Sequence, residues 1–128
     1  MFIQDFEKKW MSSFANGIDK KAIQKYVVST GNYIWHIFSW KLLPQGSYLV
    51  GDAARKAFDS LSKEQRENAL YIDPFGSEET FTLSCQNATA KKLDHYTEIY
   101  TAAKDFSWTY IKTHEGDLCG PYFCRKDA

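Results

Sequence analysis

Long apolar runs are missing from this chain. No segment approaches the roughly 18 consecutive apolar residues of a membrane-spanning helix, so no membrane is expected as its partner. Cysteine is scarce: Cys85, Cys119 and Cys124 are an odd number and too few for a disulfide framework. Excess charge is missing too. Lys plus Arg total 16 and Asp plus Glu total 16, which argues against a general binder of nucleic acid or anionic lipid. There is no glycine-rich nucleotide loop, no HExxH, no GxSxG and no EF-hand pattern, so no cofactor is implied. The opening stretch MFIQDFEKKW carries Asp5 and Glu7 and no apolar run, unlike a secretory signal. The expectation is a cytoplasmic protein with reduced thiols. On that expectation Asn87-Ala88-Thr89 is helix-start chemistry and not a glycosylation site.

Aromatic rings are abundant. The chain has 128 residues, a one-domain length, and 16% of them are Phe, Trp or Tyr. Such rings fill a core with few residues, but Tyr and Trp also favour partner surfaces. Charge is uneven along the chain. Residues 1–56 carry 8 basic and 4 acidic side chains, whereas residues 57–128 carry 8 and 12. In one folded domain this contrast either steers a partner or is cancelled by pairing between the halves.

Phe2, Phe6, Trp10 and Phe14 recur every four residues, the spacing of one helical stripe. Asn16-Gly17 closes that helix. Asp19 stands where a cap would open a second one, carrying Ala22, Ile23, Tyr26 and Val27 inward, so a helical hairpin is expected at the N-terminus. Tyr33 to Trp40 is apolar or aromatic at nearly every position and reads as a strand covered on both faces. His36 within it reads as a core histidine. Gly51-Asp52 opens a third helix, and Ser62 with Gln65 forms a capping box for a fourth. Asp73-Pro74-Phe75-Gly76 suits a type I turn, with Leu70 to Ile72 before it. Beyond that turn Phe81, Leu83 and Cys85 alternate with hydroxyl residues as in a half-exposed strand, Cys85 pointing inward. Leu93, Tyr96, Tyr100 and Ala103 fall at helical spacing and predict a fifth helix. Two further strands, around 106–112 and 121–126, flank a loop. The fold class that follows is α+β: one compact domain, residues 1–128, with a largely antiparallel sheet of about four to five strands and helices packed on it.

That loop, THEGDLCGPYFC, holds the one concentration of reactive side chains. His114, Cys119 and Cys124 are zinc-ligand types, but C-x4-C matches no strong template, and a hairpin would send the two thiols apart; no metal is expected. His114, Glu115 and Cys119 include the types of a thiol nucleophile with its base, yet a thiolate needs a nearby cation. The simplest reading is a hairpin connection, with Glu115, Gly116 and Asp117 as turn formers.

The stretches FSWTYIKTHEGDLCGPYF, WHIFSW and GDAARKAFD resemble a small uncharacterised bacterial family, the domain of unknown function numbered four-two-seven-five. The resemblance runs from about residue 20 to residue 125. It implies a compact intracellular bacterial protein and supplies neither a reaction nor a catalytic residue.

The leading expectation is a non-enzymatic module that binds another protein, regulatory or of immunity or antitoxin type, as a monomer or homodimer. It predicts an exposed aromatic patch from Trp108, Tyr110 and Tyr122. The alternative is a small hydrolase or transferase seated at His114 with Glu115 or Cys119, or with His36 if folding unites them. A third reading, a single-stranded nucleic-acid binder, rests only on Lys41, Arg55 and Lys56 near Trp40.

Overall fold

The computed structural model describes residues 1–126. Two helices come first, α1 (Ile3–Phe14) and α2 (Lys20–Tyr26), followed by a single 3-10 turn (Val28–Thr30) and a short α3 (His36–Ser39). Then come β1 (Tyr48–Val50), α4 (Asp52–Asp59), α5 (Lys63–Glu67), β2 (Leu70–Ile72) and α6 (Ala90–Leu93). The chain ends with β3 (Ile99–Ala102), β4 (Trp108–Lys112), a second 3-10 turn (Gly116–Leu118) and β5 (Tyr122–Arg125). The five strands form one sheet in the order β1-β5-β4-β3-β2, every neighbouring pair antiparallel.

Strand alternation divides the core into two layers. Tyr100, Ala102, Ile111, Tyr122 and Cys124 face one way and pack with Phe6, Trp10 and Phe14 of α1, Trp35 of the turn before α3 and Phe38 of α3. Ile99, Trp108, Tyr110 and Phe123 face the other way and pack with Ala54, Phe58, Leu61 and Leu93. α1 is fixed to the sheet by a buried relay: Trp10 Nε1 donates to Thr109 Oγ1 at 2.8 Å, which donates to the Thr101 carbonyl at 2.7 Å. β1 turns into α4 at Gly51, whose φ of 67° and ψ of −134° suit glycine alone.

The α+β class, the N-terminal helices, the hairpin of β4 and β5 and the Ser62–Gln65 capping box stand as the sequence suggests. The 73–76 turn closes with Gly76 N–H on the Asp73 carbonyl at 3.1 Å.

Three elements differ. Tyr33 to Trp40 is not a strand but a turn and the short α3; Ile34, Trp35, Ile37 and Phe38 are buried, a helical grouping. The fifth helix stops at Leu93, capped at its start by the Thr89 hydroxyl on Lys92 N–H, and Tyr100 belongs to β3. Residues 81–85 alternate in burial but form no strand. Only Phe81 bridges Tyr71, and Cys85 is half-buried in a loop.

Candidate functional site

Trp108, Tyr110 and Tyr122 do not form a surface. Their exposures are 2%, 0% and 4%. The hairpin pairs Tyr110 with Phe123 and Ile111 with Tyr122, so alternation puts Tyr122 on the opposite face from Trp108 and Tyr110. Tyr110 stacks on Phe58 at 4.6 Å between centroids, and Tyr122 stacks on Phe38 at 4.7 Å. These rings are core, and the expected patch is corrected accordingly.

His114 is placed differently. β3 and β4 pair Ile99 with Lys112, so Glu98 and His114 fall together just past the end of that ladder. Glu98 lies two residues before Tyr100, on the same face, toward α3. Its carboxylate is fully buried and accepts from four groups. Oε1 takes Trp35 Nε1–H at 3.1 Å, the His114 backbone N–H at 3.0 Å and His114 Nδ1–H at 2.7 Å; Oε2 takes the Tyr100 hydroxyl. A buried carboxylate is costly unless hydrogen-bonded, and these four donors satisfy it. In the neutral imidazole with Nδ1 holding the proton, Nε2 is left as the acceptor. It points outward, 3.9 Å from Glu115 Oε1, with the imidazole side chain 30% exposed.

Aromatic rings enclose this imidazole. Tyr33, Trp35 and Phe75 lie 5.0, 5.5 and 5.8 Å from it between centroids. His36 sits against the same rings, 5.6 Å from Tyr33 and 4.5 Å from Trp35. Burial is the main reason its pKa is lowered, which favours the neutral imidazole. Its Nδ1 reaches Thr30 Oγ1 at 2.6 Å and the Tyr26 carbonyl at 3.1 Å. Folding thus brings His36 and His114 to one aromatic cluster without joining them by a hydrogen bond.

The cysteines take no part in it. Cys119 follows the second 3-10 turn; burial first and the Glu115 charge second push its thiol up, the reverse of an activated nucleophile. Cys124 is buried in β5 with its thiol pushed up to about 11 by burial. Among the described residues no group of three or more His, Cys, Asp or Glu side chains is arranged to hold a metal.

The charge contrast between the halves is partly cancelled at one point. Arg55 of α4 reaches Asp117 at 2.7 Å, Asp52 at 3.0 Å and Asp94 at 3.6 Å. That engagement removes Arg55 from any basic cluster with Lys41 and Lys56. Trp40, 51% exposed, rests on Tyr26 at 5.2 Å.

Sequence reasoning missed Glu98. The signal available was its place directly before Ile99-Tyr100-Thr101, a β-branched and aromatic run that reads as a strand once the helical spacing is set aside. It also missed β1, whose outer side no strand covers among the described residues. Among the described residues, no helix is long and apolar enough to cross a membrane.

No curated protein and no solved structure matches the chain. One family model does, over residues 1–123, nearly the whole length and therefore the fold, the Glu98–His114 pair and the β1 edge together. The chain belongs to the family described as a domain of unknown function (DUF4275).

Proposed function

We propose that this chain is a protein-binding module that takes an extended segment of its partner along the free edge of β1. The observation that carries the reading is the contrast between the two sheet edges. At β2 the edge is occupied: Tyr71 and Phe81 exchange backbone hydrogen bonds of 3.0 and 2.8 Å. Among the described residues β1 has no such cover, and it carries no charged residue and no proline, the features that usually blunt an edge strand. Leu49 and Val50 are 42% and 48% exposed.

The ladder sets which groups are free. Gly51 N–H donates to the Pro121 carbonyl at 2.8 Å, and β1 pairs Val50 with Tyr122 and Leu49 with Phe123. Antiparallel pairs alternate between bonded and non-bonded, so Leu49 bonds inward while Tyr48 and Val50 direct N–H and C=O outward. Beside them runs a groove of about 470 Å³ lined by Leu43, Tyr48 and Val50, with Lys41 at its wall. A strand added there would gain main-chain hydrogen bonds from the edge and side-chain selectivity from the groove. Lys41 favours an acidic residue beside the apolar one.

Peptide display against the immobilised protein tests this. Val50→Pro removes an outward donor and leaves the β1–β5 ladder intact. Enrichment of extended, apolar and acidic peptides that lose binding to Val50→Pro supports the reading. Peptides bound equally by both forms would sink it.

A second reading has its own observation, the buried Glu98 that orients His114 with Nε2 outward. A carboxylate on one imidazole nitrogen makes the other a defined proton acceptor, as hydrolases and transferases require. Turnover of an activated aryl ester that falls to background in His114→Ala but not in His95→Ala would support it. Equal turnover by all three forms would remove it.

A further inference from the structure

We propose that the groove between α1 and α2 is a binding site for a small apolar molecule carrying a primary ammonium, held at Glu7. The groove measures about 410 Å³, and Met11, Ile23, Val27 and Ile34 supply its apolar lining. Val28, 46% exposed, stands at its mouth. A cavity of this size and character fits a short aliphatic or monocyclic body better than a polar one.

Glu7 gives the site its sign. It is half-buried in the groove wall and makes no hydrogen bond or ion pair among the described residues. Behind it lies the fully buried Glu98, whose charge adds to the cost of ionising Glu7. Lys8 also lines the groove, but neighbouring positions on a helix point about 100° apart, and it makes no ion pair with Glu7. A cation placed at Glu7 would supply the missing counter-charge and relieve its repulsion with Glu98. An anion would meet the Glu7 carboxylate, with the Glu98 charge behind it and Lys8 as the one cation of the lining.

The polar rim matches the hydrogen-bonding count of an ammonium. A primary ammonium has three donors. Glu7, Gln4 and Asn32 line the groove, and neither amide side chain is engaged elsewhere among the described residues. One carboxylate and two amide oxygens are three acceptors around an apolar floor.

Amide-resolved NMR titration at neutral pH tests this with n-hexylammonium, n-hexanol and n-hexanoate. Expected is saturable binding of n-hexylammonium, with shifts at Met11, Ile23 and Val27, at least about tenfold tighter than n-hexanol. n-Hexanoate should not bind there. Glu7→Gln should bring n-hexylammonium down to the affinity of n-hexanol, with its spectrum confirming the native fold. The comparison of the three ligands on the unaltered protein needs no variant. Equal affinity for the amine and the alcohol, no saturable binding of the amine, or full binding to folded Glu7→Gln would each overturn the proposal.

Discussion

Glu98 Oε1 and His114 Nδ1 lie 2.7 Å apart, and the carboxylate that holds the imidazole has no exposure to water at all. One buried group therefore ties together three separate pieces of chain: the Trp35 turn, the start of β3 and the loop that follows β4. Removing it strands several donors at once.

Glu98→Ala should destabilise the fold by about 3–5 kcal/mol, because Trp35 Nε1–H, the Tyr100 hydroxyl and the His114 N–H lose their acceptor in a buried place. Glu98→Gln keeps the volume and one acceptor and should cost about 1–2 kcal/mol. Urea unfolding of the three proteins, compared at equal slope, measures both. Equal losses for Ala and Gln would mean the charge alone matters.

On the opposite face of the sheet Phe58 is fully buried, stacked on Tyr110 and edge-on to Trp108 at 6.0 Å. Phe58→Ala should cost about 3–5 kcal/mol, the usual loss for an aromatic ring in a closed core. Tryptophan emission should shift to the red as Trp108 meets water. An unchanged spectrum with full stability would place the ring outside the core.

Ser62→Ala removes half of a capping box in which Ser62 Oγ accepts from Gln65 N–H at 3.0 Å and Gln65 Oε1 accepts from Ser62 N–H at 2.9 Å. The expected loss is about 1 kcal/mol by chemical denaturation. Ser62→Asp should recover most of it, since aspartate caps as well as serine.

That capping box was legible in four letters because a cap is local: the residues that satisfy each other are three apart. The same holds for the 73–76 turn and for α1, whose stripe repeats three times. Legibility failed where burial on all sides erased periodicity. Around α3 the run Ile34-Trp35-His36-Ile37-Phe38 is apolar enough to pass for a buried strand, and periodicity alone cannot separate the two over so short a span. At Tyr96 and Tyr100 helical spacing was accidental, since the two lie in a turn and in β3. His114 was legible as a candidate, but its partner Glu98 sits 16 residues away, and only the β3–β4 register brings them together.

β1 offers a direct check on the strand parity behind the edge reading. Leu49→Pro deletes a donor that faces β5 and should cost about 1 kcal/mol or more, with the ladder broken. Val50→Pro deletes one that faces outward and should cost clearly less. Hydrogen exchange at Phe123 should quicken in the first variant only. Equal effects would mean the bonded and non-bonded positions are reversed.

Glu7 gives the chain a pH dependence of unusual sign for a carboxylate. Burial, then the Glu98 charge, raises its pKa above the ordinary 4.5. The neighbouring titratable groups are Glu98 and Tyr100 beneath it, with Lys8 beside it on α1 and unpaired with it. A carboxyl with a raised folded-state pKa holds its proton more tightly in the native chain than in the unfolded one. Its contribution is therefore full below the ordinary glutamate range and is lost as pH rises through the folded value. Glu7→Gln should leave stability unchanged at low pH and raise it at neutral pH, by less than about 1 kcal/mol because water screens a half-exposed group. Urea unfolding of both proteins across that range measures the difference. A gain at neutral pH that persists unchanged into acid would assign the effect to packing, and no gain at either pH would remove the strain attributed to Glu7.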